Sequence, residues 1–120
     1  MLKLPYTQYK WQKWDCFTLA NYVRKHIDGL SLPDINEDVY SKYTEQTQPN
    51  DLVETIVKKY CKPATDIATG YIVILKINGV SNLGTIYKNS IIYMGVDSAN
   101  SQPIDRLAEY IDSIWVYQPF

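Results

Sequence analysis

The sequence is short of titratable sulfur and nitrogen. It holds two cysteines, Cys16 and Cys61, and a single histidine, His26. A structural zinc site takes about four cysteine or histidine ligands at short spacings, and no such spacing is present. No cofactor motif is seen either. Two cysteines with no export signal read as thiols rather than a disulfide. There is no excess charge of either sign. The net charge is −1, which leaves no electrostatic footprint for nucleic acid. No apolar run is long enough to span a bilayer. The opening residues, Met1-Leu2-Lys3-Leu4-Pro5-Tyr6, lack the apolar core of a signal peptide. The expectation is a protein kept in a cytoplasm, or released from it by lysis or inside a particle. Repeats, low-complexity tracts and domain-sized linkers are also missing, and 120 residues suit a single domain spanning 1–120.

What is present is an apolar, tyrosine-rich chain. Hydrophobic residues make up 46% and charged residues 21%, a globular balance. The eleven tyrosines read first as amphipathic filling of a small core and its rim, and second as a surface for a protein or glycan partner.

The first half has helical periodicity. Cys16, Leu19, Ala20, Val23 and Ile27 fall on one helical face, with Asp15 as N-cap and an end near Asp28-Gly29. Leu32-Pro33 marks an extended exit. Residues 34–46 are polar, with a short helix anchored by Val39, Tyr40 and Tyr43. A further helix opens at Asp51, where Glu54 completes a capping-box arrangement. Its stripe is Leu52, Val53, Ile56, Val57 and Tyr60. The second half changes period. Residues 70–77 form a β-rich run ended by Asn78-Gly79, a strong hairpin signal. Residues 83–87 and 91–96 follow as strands, 105–110 as one or two helical turns, and 114–117 as a last strand. Helices first and an antiparallel sheet second predict an α+β fold.

Cys16 is the residue most suited to chemistry. At the first turn of a helix a thiolate meets unpaired N–H groups and the positive end of the helix dipole. Both favour a nucleophilic thiolate, and the same N–H groups can bind an oxyanion. The alternative is a small buried hydrophobe beside Leu19 and Val23, and the pattern by itself favours that.

A resemblance gives Cys16 a context. Trp14-Asp15-Cys16-Phe17-Thr18-Leu19 resembles the nucleophile signature of NlpC-type papain-like cysteine peptidases, above all their phage-tail branch. Gly29-Leu30-Ser31-Leu32-Pro33 is similar to that branch's exit from the nucleophile helix. Gly70-Tyr71-Ile72-Val73-Ile74-Leu75 resembles the strand that opens the sheet. Ser81-Asn82-Leu83-Gly84-Thr85-Ile86-Tyr87 resembles the strand that normally begins Ser-His. Pro103-Ile104-Asp105-Arg106-Leu107 and Trp115-Val116-Tyr117-Gln118-Pro119 are similar to its closing segments. The resemblance covers nearly the whole chain in order. It implies a papain-like α+β domain with N-terminal helices packed on a small antiparallel sheet.

It also implies a defect. The position of the catalytic histidine holds Asn82, and an amide cannot shuttle a proton near neutral pH. The orienting residue falls near Tyr93 or Met94, and neither substitutes for it. His26 lies ten residues beyond Cys16 on the same helix, roughly 15 Å of axial rise away, and reads as an exposed helix-end residue. Asp97 and Asp105 read as solvated loop carboxylates, and Cys61 as a packing residue. Tyr6 and Tyr9 lie upstream, where the family often places a hydroxyl near the oxyanion. The resemblance therefore implies a degenerate domain serving as a structural or assembly part of a phage or prophage tail, with other tail proteins as partners. An active peptidoglycan endopeptidase using Cys16 is the alternative, and a cytosolic transferase or amide hydrolase of the same fold is a third. No nucleic-acid or membrane partner is expected.

Overall fold

The computed structural model describes residues 3–4, 8–28, 33–95 and 98–118. Tyr6, the Gly29-Leu30-Ser31-Leu32 exit, Val96, Asp97 and the final Pro119-Phe120 lie outside the described residues. The elements run α1 (Cys16–Asp28), α2 (Pro33–Tyr40), α3 (Leu52–Tyr60), β1 (Cys61–Pro63), β2 (Ile72–Ile77), β3 (Val80–Tyr87), β4 (Ser90–Met94), β5 (Ala99–Pro103), α4 (Ile104–Leu107) and β6 (Ile111–Tyr117). A 3₁₀ turn at Ala108–Tyr110 joins α4 to β6. All strands pair antiparallel in one six-stranded sheet of order β1-β6-β2-β3-β4-β5. The α+β expectation holds at this level: helices pack against an antiparallel sheet.

The helices follow their stripes. Leu19, Ala20 and Val23 are buried on α1, and so is Phe17, which the single-face reading omitted. Helix α1 therefore buries two flanks. Phe17 and Ala20 join the cluster that also holds Val53, Ile56 and Val57 of α3, while Leu19 and Val23 join the one that holds Ile92 and Met94 of β4. Every residue of the α3 stripe is buried. Asp51 is its N-cap, but no side-chain hydrogen bond caps the helix, so the capping box with Glu54 does not form.

One tight turn sets the register of the β2–β3 hairpin. Asn78 and Gly79 both take positive φ, 53° and 77°, as a two-residue hairpin turn requires. That turn fixes Ile77 opposite Val80 and every pair behind it, through Leu75 opposite Asn82 to Ile72 opposite Thr85. Strand β3 consequently starts at Val80, three residues before the expected strand at 83. Ile72, Val73, Ile74 and Leu75 are each no more than 4% exposed, because both faces of β2 are covered. Ile72 and Ile74 face the helices; Val73 and Leu75 join Ile86, Ile91 and Leu107 on the other side. Complete burial of each such side chain contributes about 1.5–3 kcal/mol.

Two strands went unrecognised in the sequence. β1 is three residues long and contains a proline; β5 is polar and ends in Pro103. Both are edge strands, where alternating burial is weak and proline is tolerated. β6 begins earlier than expected and inserts between β1 and β2.

Candidate functional site

The first turn of α1 is built around Asp15, which is only 1% exposed. Its Oδ1 accepts hydrogen bonds from the N–H groups of Phe17 and Thr18, both at 3.0 Å, as an N-cap does. Its Oδ2 accepts the N–H of Gln12 at 2.7 Å. The Asp15 N–H donates in return to the Thr18 hydroxyl at 2.8 Å. From α2, the Tyr40 hydroxyl lies 2.7 Å from both carboxylate oxygens. Burial and the carboxylate together push the Tyr40 hydroxyl's pKa well above that of an ordinary tyrosine. Tyr40 is held edge-on by Trp11, with ring centroids 5.3 Å apart.

Cys16 stands beside this carboxylate, half-buried, with a free thiol. It borders a cleft of about 230 Å³. Tyr9, Trp11, Phe17, Val53 and Met94 line it with apolar surface, and Gln48 is its side-chain amide on the α2–α3 side. Val80, Ser81 and Asn82 of β3 border it on the other side. Burial pushes the Cys16 thiol up to about 12, with the Asp15 carboxylate as the second cause. The N–H groups of Leu83, Cys16 and Phe17 pull in the other direction and lose. Of the two readings of Cys16, this balance favours the small buried hydrophobe over the activated thiolate. The helix end does offer N–H groups, but its N-cap is a buried anion that also accepts those of Phe17 and Thr18, and the burial of the sulfur outweighs them. Tyr9 borders the cleft. Its hydroxyl is pushed up to about 12 by burial and by the nearby Glu45 carboxylate.

Asn82 is placed differently from expectation. It pairs with Leu75 across β2–β3, and directly opposed residues of a pair of strands project to one face. Leu75 packs on the face away from α1, with Val73, Ile86 and Ile91. The Asn82 side chain therefore leaves the sheet on that outer face, with its amide 3.5 Å from the Val80 carbonyl. The residues that face α1 are Ser81 and Leu83. The cause is register: the turn at Asn78-Gly79 sets Ile77 opposite Val80, and each step along a strand alternates the face. The register thus turns the Asn82 side chain away from α1, although the residue borders the rim of the Cys16 cleft.

Among the described residues, none of the other candidates supplies a base to Cys16. His26 is exposed at the far end of α1, with its ring edge-on to Tyr87 at 5.9 Å. Met94 is buried against Trp14, Leu19 and Val23 and carries only a thioether; Tyr93 belongs to the outer face. Asp105 is exposed on α4, away from the cleft. Cys61 is buried in the core between α3 and β1, in agreement with a packing role, and burial pushes its thiol up to about 12. Among the described residues no group of three or more His, Cys, Asp or Glu side chains is arranged to hold a metal ion, and no helix is long and apolar enough to cross a membrane.

The Tyr40–Asp15 pair escaped sequence reasoning. Tyr40 was only a possible apolar anchor, and nothing local links it to a residue 25 positions earlier. Comparison with protein-family models, with curated proteins and with solved structures gives no significant match.

Proposed function

We propose that this chain is a non-hydrolytic relative of the NlpC-type papain-like domains that works as a structural or assembly component, in a phage or prophage tail. The observation that carries the non-hydrolytic part is the state of Cys16. Its thiol is held protonated by burial and by a neighbouring carboxylate, and no imidazole borders its cleft. Acylation of a cysteine needs a thiolate and a proton for the leaving group, and general acid–base help is worth about 10²–10⁴ in rate. This cleft supplies neither. The relationship is supported by the motif order from Trp14 to Pro119, by the cysteine at the first turn of α1, and by the packing of that helix on an antiparallel sheet. The shift of Asn82 to the outer face removes the histidine correspondence from that support. The tail setting rests on the resemblance alone.

Mass spectrometry of the tail fraction from purified virions tests the assembly role, and the chain is expected there in fixed ratio to other tail proteins. Incubation with peptidoglycan fragments tests the chemistry, and no cleavage is expected. Cys16→Ser is expected to leave assembly intact. Cleavage by the wild type that vanishes in Cys16→Ser would overturn the reading in favour of a peptidoglycan endopeptidase.

A further inference from the structure

The outer face of the sheet is only half covered. The segment from α4 through the 3₁₀ turn crosses it where Leu107 packs on Val73, Leu75, Ile86 and Ile91. Beyond that crossing, towards the Asn78-Gly79 turn, lies an open groove of about 430 Å³. This volume falls within the range of roughly 300–1,000 Å³ typical of small-molecule sites. Its chemistry is unusual for so apolar a sheet. Asn78, Asn82 and Asn100 line it together with Tyr93. Tyr93 pairs with Asn100 across β4–β5 and with Gly84 across β3–β4, so its ring shares a face with both Asn82 and Asn100. Asn100 is set in place by a missing side chain. A Cβ at Gly95 would lie 2.3 Å from the Asn100 Nδ2, so only glycine there lets this amide lie where it does. Among the described residues no hydrogen bond occupies the side-chain amides of Asn78 or Asn100, and Asn82 has only the long one to Val80.

We propose that this groove binds a neutral oligosaccharide. Each carboxamide offers both donors and an acceptor, which is the complement of adjacent sugar hydroxyls. A tyrosine supplies an apolar surface for the C–H side of a pyranose and a hydroxyl beside it. No charged side chain lines the groove among the described residues, so neither a phosphate nor an acidic sugar has a counter-charge there. That same absence disfavours a nucleic-acid strand, whose affinity rests on neutralising its phosphates. The groove adjoins the Cys16 cleft, with Val80, Asn82, Met94 and Gly95 common to both, and the proposal does not depend on the tail assignment.

The test is titration of the isotope-labelled protein with chitotetraose, maltotetraose and tetragalacturonic acid, followed by NMR. Binding of a neutral sugar is expected at millimolar Kd, near −4 kcal/mol. The shifts should centre on the side-chain amides of Asn78, Asn82 and Asn100 and on the Tyr93 ring, with little response to the acidic sugar. Gly95→Ala, which displaces the Asn100 amide, and Asn82→Ala should each weaken binding by roughly tenfold. Tyr110→Ala, at an exposed tyrosine outside the groove, should leave it unchanged. The amide spectra report whether each variant is folded. Absence of shifts with every saccharide, shifts at Tyr9, Trp11, Cys16 and Gln48 without any at Asn78, Tyr93 or Asn100, or a groove that takes adenosine or a short peptide but no saccharide would overturn the proposal.

Discussion

Alkylation of Cys16 offers the sharpest quantitative test of the site, because two opposing effects act on one sulfur. The helix N-terminus favours the thiolate, while burial and Asp15 oppose it, and the balance lifts the thiol from 9.0 to about 12. Three pH units leave about a thousandfold less thiolate at pH 7.5 than an ordinary cysteine has. A more basic thiolate is also a better nucleophile, with a Brønsted slope of about 0.4–0.5, which returns a factor of roughly 16–30. Cys16 should therefore react with iodoacetamide about thirty- to sixtyfold more slowly than free cysteine, before any further hindrance from the cleft. Peptide mapping by mass spectrometry separates Cys16 from Cys61. The rate should climb tenfold per pH unit well past pH 9, without a plateau there. Asp15→Asn keeps a competent N-cap and removes the carboxylate, so its Cys16 should react faster at every pH below 9. Alkylation of the wild type as fast as free cysteine, with a plateau below pH 9, would refute this balance and restore the activated thiolate.

Tyr40→Phe removes the hydroxyl donated to both oxygens of the buried Asp15. It should cost about 1.5–3 kcal/mol, the range for a hydrogen bond to a charged group, read as a lower urea midpoint with an unchanged slope. Gly84→Ala should destabilise by about 1–3 kcal/mol through overpacking, since its Cβ would lie 2.7 Å from the Ile91 Cγ2 and 3.0 Å from the Val73 Cγ2. The fold should weaken in alkali. Cys16 and Cys61 both ionise near 9.0 when unfolded and near 12 when folded. Their contribution is complete below pH 9 and falls as pH rises towards 12, by up to about 1.4 kcal/mol per pH unit per thiol. Cys16→Ser should make the urea-derived stability fall less steeply over that interval. Asn82→His should gain no hydrolytic activity, because its ring would project from the outer face; Ser81→His instead puts the ring on the α1 side. Cleavage of peptidoglycan fragments by Asn82→His would show that the strand register differs from the one described.

Local rules carried the sequence a long way. The spacing of Leu52, Val53, Ile56, Val57 and Tyr60 determined which face of α3 is buried, since a helix offers one stripe every 3.6 residues. Asp15 before Cys16 determined where α1 begins, and Asn78-Gly79 determined a hairpin, because few residue pairs tolerate two positive φ angles. Other features depended on residues distant in the chain. β1 and β5 are edge strands whose sequences lack alternation, so they are strands only because β6 and β4 lie beside them. The face of Asn82 followed from a register counted back from the turn, where a slip of one residue reverses every side chain. A motif resemblance preserves order along the chain but does not count that register. The character of Cys16 was also a tertiary matter. The sequence placed it at a helix N-terminus, which argues for a thiolate. The packing of Tyr9, Trp11 and Met94 along its cleft, and the buried Asp15 carboxylate beside it, disfavour the charged sulfur. Charge stabilisation by a helix end is a short-range gain, whereas the cost of desolvation is set by everything packed around the sulfur.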